Sequence, residues 1–470
     1  MSTTDSVAHL AEAHLFSYER GPARRRYMIL YAFAALAGAA LWGGVGSVLI
    51  PLHVQQIEFA QFFAGAMASV NLQELMALKA AIAAGTAKAG ADQQQLLDAL
   101  AAYESAKASN LAMIKSIAVA VTMLMQPLIG IASDRTRSRW GRRAPWILLG
   151  AIATVAGLIA MRYATSILQL MSGWVVAQAG ITMVLGPLAA TVVDRLPAAQ
   201  RGTMSAVAGV GLVGGFILGM AIAGALYGHF GMGSYLIFAA AVFLASLSFV
   251  FVASDLPSVS MQQRAASWGT HLMSCTYALR DRDFRWVWVS RILMMFGYAV
   301  SATYSVYMLQ SYIEPALTAA QAAKTVSLLN LAALPGTLLA MVIAGRWSDR
   351  IMRRKPFVIG ALFLYAASMI VPFLWPTLIA LYVQFVLGGV AFGAFLVVDQ
   401  ALLIDVLPNK SAAGRDLGMG QFAANLGSVM GPILAGVVLS ATGGYRMIWP
   451  AALILVVLAA VALMPVKGVR

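Results

Sequence analysis

Of the eighteen Asp and Glu residues in this 470-residue chain, Asp399 alone falls well inside a long apolar run. It stands six residues before Asp405, which ends that run, or about 9 Å along a helix rising roughly 1.5 Å per residue. Arg291 stands six residues past Arg285 in another apolar run, at a similar depth. Charges in such places are costly and usually functional. Two unpaired charges cost far more than a pair, so Arg291 and Asp399 are expected to face each other. A carboxylate taken out of water is also the best-placed group here for proton exchange. The plainer reading makes Asp399 a structural partner of Arg291, and Arg291 a long side chain snorkelling to the edge of the apolar layer.

Uncharged polar residues recur at helical spacing in other apolar runs. Lys115, Thr122 and Gln126 share one face, as do Gln178 with Thr182 and Gln421 with Asn425. Trp42, Tyr298, Tyr304 and Tyr307 add aromatic rings. Amides, charges and rings together suit a polar neutral ligand, whereas hydrogen bonding between helices is the plain reading of any single Gln or Asn. The stretch Gly209-Val210-Gly211-Leu212-Val213-Gly214 matches GxGxxG. It has no preceding strand, so the dinucleotide reading fails its context. With Gly215, Gly219 and Gly224 it reads as a close-packing helix face.

These residues must be positioned by helices in a membrane. The chain is 61% hydrophobic and 11% charged, with a mean hydropathy of +0.80, far from the polar surface a soluble domain needs. Spans are expected at 27–50, 110–132, 145–163, 166–192, 203–228, 232–253, 286–312, 323–346, 356–374, 377–404, 417–440 and 446–464, each long enough to cross about 30 Å of hydrocarbon. The net charge of +14 comes from basic residues in short loops beside the spans. That is the positive-inside pattern rather than a nucleic-acid footprint. One set of loops holds Arg24–Arg26, Arg135–Arg143, Arg280–Arg285, Arg346–Lys355 and Lys467; the other holds few basic residues, among them Lys79, Lys107 and Arg162. Both termini are therefore expected in the cytoplasm. The tail 1–26 and the link 254–285 are cytoplasmic, and 55–109 is an external helical insertion with Gly85 and Gly90 bracketing a turn. It reads as an extension of spans one and two rather than as a lid.

A repeat divides the chain. Gly130-Ile131-Ala132-Ser133-Asp134-Arg135, resuming as Arg142-Arg143-Ala144-Pro145, returns as Gly345-Arg346-Trp347-Ser348-Asp349-Arg350, resuming as Arg353-Arg354-Lys355-Pro356. Asp194-Arg195-Leu196-Pro197 returns as Asp405-Val406-Leu407-Pro408. Two motifs recurring in the same order indicate a six-plus-six duplication. The expected fold is an all-α membrane protein of twelve transmembrane helices in two pseudo-symmetric six-helix bundles, 27–253 and 286–470.

The loop Gly130-x-x-x-Asp134-Arg135 with Gly141-Arg142-Arg143 resembles the signature of the major facilitator superfamily. Gln126-Pro127-Leu128-Ile129-Gly130 running into Ser133–Arg143, with Gly186-Pro187 before Asp194, is similar to the sucrose-transporter branch, allied to the glycoside–pentoside–hexuronide symporters. The resemblance implies rocker-type alternating access and proton-coupled sugar uptake. The duplicated spacing reads as a cytoplasmic gate at Gly130, Asp134, Arg135, Gly141, Arg142, Arg143 and Asp194, repeated at Asp349, Arg350 and Asp405, the plainer reading being positive-inside topology with incidental pairing. Arg–carboxylate pairs there would favour the outward-open state and break as the inside opens. Two positions depart from the plant sucrose carriers: Gln178 stands where they have an Asp, and Ala189 where they have an Arg.

The reading that results is a secondary active importer of a sugar or glycoside, a monomer in the inner or plasma membrane. Its partners are a small polar solute, a proton and the bilayer, with no cofactor, metal or nucleic acid. An exporter of a drug or amphipathic metabolite, and a receptor that binds without translocating, are the alternatives. An enzyme is excluded because His9, His14, His53, His229 and His271 are scattered, Cys275 is the single cysteine, and no nucleophile or metal spacing occurs.

Overall fold

Apolar runs of this length fold as helices because hydrocarbon offers no partner for a bare backbone, so each peptide group must bond within its own segment. The computed structural model describes residues 21–67, 70–83, 85–196, 198–253, 258, 276–351, 353–407 and 413–467. Residues 1–20 of the tail, nearly all of the link 254–275, Pro197, Pro408, Lys410 and Cys275 lie outside them.

Helix α1 (Pro22–Leu41) runs through a π-helical stretch, Trp42–Leu49, into α2 (Ile50–Phe62). Helices α3 (Leu72–Ala83) and α4 (Ala91–Arg135) follow, then α5 (Ala144–Arg162), α6 (Ile167–Arg195), α7 (Ala198–Phe230) and α8 (Ser234–Val252). The rest of the chain forms α9 (Arg282–Ala302), α10 (Ser305–Ser311), α11 (Ala319–Ile351), α12 (Lys355–Leu374), α13 (Leu378–Asp405), α14 (Ala413–Thr442) and α15 (Ile448–Ala462). Eleven stretches among the described residues are long and apolar enough to span a membrane. One of them, Gly211–Val252, is 42 residues long and is turned at Gly231–Gly233 between α7 and α8, which makes twelve spans.

The chain packs as two compact units. The first comprises Met1–Leu49 and Val121–Ala265, the second Ile50–Ala120 and Ala266–Arg470. In the first unit α1 packs on α7 and α8, and α5 on α6 and α8. In the second, α9 packs on α14 and α15, and α12 on α13 and α15. The same four pairings occur in each, as a duplicated bundle requires.

The second unit departs from the expected 286–470 bundle by including Ile50–Ala120, and specific bonds hold that segment there. Tyr307 Oη donates to Pro51 O (2.8 Å), Tyr304 Oη to Ala108 O (2.9 Å) and Ser116 Oγ to Val429 O (2.9 Å). Helix α9 ends at Ala302, and the freed carbonyl of Thr303 accepts from Lys115 Nζ at 2.8 Å. The expected insertion is helical, and spans one and two do extend into it. It carries a core of its own: Phe63, Leu75, Leu100 and Tyr103 are buried against Phe59, Phe62, Leu96 and Leu97. Gly85 makes its turn at φ 73, a left-handed conformation that suits glycine.

The glycines of span five do pack, though not all of them. A Cβ on Gly215 would lie 2.5 Å from Leu36 O, and one on Gly219 closer still to Ala40 O, so α7 meets α1 backbone to backbone. Gly209 and Gly214 face open space.

Candidate functional site

The arginine-rich loop of the first unit closes on itself. Arg143 is the N-cap of α5, with a side chain 6% exposed. Its Nη2 lies 2.5 Å from Asp134 Oδ1, its Nε 3.0 Å from Asp194 Oδ2, and its Nη1 donates to Ser133 Oγ at 2.5 Å. Arg142 pairs with the other oxygen of Asp194. One guanidinium thus ties the end of α4 to the end of α6 through the start of α5, with a single charged contact to each carboxylate. Gly141 turns the loop at φ 85, and its N–H donates to Ser138 O. Ser258, from the link, exchanges backbone and hydroxyl hydrogen bonds with Ser138.

The second unit repeats the clasp in reduced form. Arg354, the N-cap of α12, places Nε 2.8 Å from Asp405 Oδ2 at the end of α13. Arg354 and Asp405 each lie 211 positions after their counterparts Arg143 and Asp194. Arg350 and Arg135 are exposed, and the Asp349 side chain lies outside the description. A Cβ on Gly130 would meet nothing within 4 Å, so no close approach accounts for that glycine.

Deeper in the second unit, Arg291 Nε lies 2.8 Å from Asp399 Oδ2, with the side chains 9% and 0% exposed. Both Asp399 oxygens are buried, and Arg291 is the charged group set against them, so the two form a buried ion pair. Arg291 Nη2 donates to Gln400 Oε1 at 2.6 Å. The guanidinium lies close against Gly420, where a Cβ would sit 2.7 Å from Nη1. Helix α9 therefore supplies the cation, α13 the anion and the amide, and α14 the space.

The first unit brings two further sequence candidates together: Trp42 Nε1 donates to Gln178 Oε1 at 2.8 Å. Gln178 is buried, and Thr182 Oγ1 bonds back to its carbonyl. Elsewhere the candidates separate. Gln126 is exposed, and Gln421 and Asn425 bond to each other at 3.3 Å. Tyr298 stacks on Phe392 with centroids 4.3 Å apart. Tyr304 is fully buried, stacked on Tyr307, with its hydroxyl committed to Ala108 O. That bond anchors span two, and Lys115 Nζ is likewise engaged by Thr303 O at 2.8 Å.

Sequence reasoning missed Gln400, whose signal was its place beside Asp399, and Lys107. Lys107 is 1% exposed, with Nζ 4.9 Å from the Tyr103 ring centroid and 4.6 Å from that of Tyr307. A lysine in the long loop carried no mark of this burial.

Residues 100–465 match the family described as MFS/sugar transport protein. A 78-residue stretch is 38% identical to a human membrane-associated transporter protein, covering 15% of each chain. Another, of 53 residues, is 49% identical to an uncharacterized symporter of Synechocystis, covering 11% of this chain and 9% of the relative. The matches thus span a small part of those relatives' length. Among solved structures, a bacterial homolog to the human lysosomal transporter Spinster, inward-facing and unoccupied, aligns at TM-score 0.65 and 14% identity over 95% of this chain and 97% of that one. The nucleoside transporter NupG aligns at 0.67 and 14% over 94% and 98%. At such identity the likeness speaks for the fold. The family match covers more than three-quarters of the sequence, and the fold agrees with it: the chain belongs to the MFS/sugar transport protein family, as a multi-pass membrane transport protein of the major facilitator superfamily.

Proposed function

We propose that the chain imports a sugar or glycoside across the inner or plasma membrane by alternating access, in symport with protons, with both termini in the cytoplasm. The observation that carries the coupling is the buried Arg291–Asp399 ion pair, in which the carboxylate is 0% exposed and lies 2.8 Å from the guanidinium. Protonating Asp399 removes that attraction and leaves Arg291 held by Gln400 alone. One proton therefore switches what holds the guanidinium, which is the kind of two-state element a coupled transporter requires. The family description and the Trp42–Gln178 pair support a hydroxyl-bearing solute. The nucleoside transporter among the structural neighbours also carries a sugar-containing polar molecule.

The test is uptake of labelled mono- and disaccharides into proteoliposomes, with and without an imposed inward proton gradient. Gradient-enhanced uptake of one sugar by the wild-type protein, lost to mere equilibration in Asp399→Asn, is the expected result. Accumulation against a gradient by Asp399→Asn refutes the coupling role. Absence of uptake for every sugar refutes the substrate class.

A further inference from the structure

The contact between Trp42 and Gln178 fixes more than a position. An indole Nε1–H donates and cannot accept, whereas a carboxamide has an accepting end and a donating end. Of the two, the end facing Trp42 must be the oxygen, and Nε1 lies 2.8 Å from Oε1. The amide nitrogen is turned the other way, and it makes no hydrogen bond to any described residue. Thr182 takes the backbone carbonyl of Gln178 and leaves the side chain free of it. Gln178, 6% exposed, therefore presents two N–H donors from a buried position.

The backbone that carries Trp42 is unusual as well. Trp42 opens the π-helical stretch Trp42–Leu49, a single wide-turn segment within span one. Such segments are rare and recur at functional sites. Gly44 lies within it where a Cβ would meet Gly219 O at 2.7 Å, so the stretch is seated against span five. The indole is thus held by a backbone that is itself fixed, which is what a positioning residue needs.

We propose that Gln178 reads the transported solute as a hydrogen-bond acceptor, a hydroxyl or ring oxygen, and that Trp42 sets this preference by locking the orientation of the amide. This rests on the sugar reading above. Gln178 binds the solute; Trp42 acts through Gln178 as a positioning residue. A solute N–H, which only donates, gains nothing at this site, whereas an oxygen that accepts is recognised in full.

The experiment uses methyl glucoside and its monodeoxy and monodeoxyfluoro derivatives as competitors of labelled-sugar uptake by the full chain in proteoliposomes. Fluorine accepts weakly and cannot donate, and a deoxy position does neither. For one hydroxyl position the wild-type protein should lose about tenfold in competition by the deoxy derivative and only about threefold by the fluoro derivative, in keeping with one hydrogen bond. In Gln178→Leu the two derivatives should become equal. In Trp42→Phe, which keeps an apolar ring but frees the amide to turn over, the fluoro derivative should fall to the level of the deoxy one. A mere packing role for Trp42 would lower uptake of all sugars without changing this ratio. The proposal is overturned if wild-type protein treats the fluoro and deoxy derivatives alike at every position, or if their difference survives in Gln178→Leu. Failure of the wild-type protein to take up any sugar instead sinks the underlying sugar reading, and is distinguishable because it appears before any derivative is tested.

Discussion

Replacing Arg291 by Met keeps an unbranched apolar stem and removes the charge. Asp399 is 0% exposed and has Arg291 as its charged neighbour at 2.8 Å, so the substitution leaves a carboxylate buried without its partner. Breaking a buried pair from one side costs about 3–5 kcal/mol, much of it the desolvation of the charge left behind. Replacing both ends, as Arg291→Met with Asp399→Leu, removes the orphan and should recover most of that loss, because a well-packed apolar pair is often no less stable than an ion pair. Asp399→Asn should cost less than Arg291→Met. It leaves Arg291 its 2.6 Å bond to Gln400, so a loss of about 1–3 kcal/mol is expected. The assay is reversible unfolding of the purified protein in detergent, followed by tryptophan fluorescence, with all four proteins compared under the same conditions. The order wild type, Asp399→Asn, Arg291→Met in falling stability, with the double variant above Arg291→Met, is the expected outcome. A double variant no more stable than Arg291→Met would refute the claim that the cost lies in an unpaired buried charge.

Arg143→Ala should destabilise more than Arg354→Ala in the same assay. Arg143 is 6% exposed and pairs with Asp194, itself 19% exposed, whereas Arg354 is 20% exposed and pairs with Asp405, itself 36% exposed; about 2–3 kcal/mol against about 1 kcal/mol or less is expected. Gly141→Ala forces a side chain into φ 85 and should cost on the order of 1 kcal/mol, read as a lowered denaturation midpoint. Tyr307→Phe strips the donor from the buried Pro51 carbonyl, with an expected loss of about 1–3 kcal/mol and faster hydrogen exchange at the start of α2.

The features legible in the sequence were those where physics leaves few choices. Asp399 and Arg291 could be matched because a charge within an apolar span needs a partner, and the structure sets them 2.8 Å apart. The repeat was legible because each half keeps an Arg opening one helix and an Asp closing the next, and the two salt bridges follow at the same 211-residue offset. What escaped depended on contacts between distant residues. Nothing in Trp42-Gly43-Gly44-Val45-Gly46 announces a π-helical turn, since glycines there read equally as packing. Tyr304 and Gln178 are both polar residues in apolar runs, yet one hydroxyl is consumed by Ala108 O and one amide stays available. Periodicity gives the face of a residue but not the partner that meets it. Lys107 lies in a segment whose composition reads as solvated, and only the packing of Tyr103 and Tyr307 around it shows otherwise.

Helix α4 continues without a break in assignment from Ala91 to Arg135, 45 residues, or about 68 Å, more than twice the hydrocarbon thickness of a bilayer. Roughly 38 Å of it must therefore lie outside the hydrocarbon. Asp92 stands 28 residues from Ala120, about 42 Å along the axis. The core of Phe63, Leu75, Leu100 and Tyr103 braces that outer part against α2 and α3. A spectroscopic label near Asp92 thus reports on this helical core, outside the membrane, without touching a span.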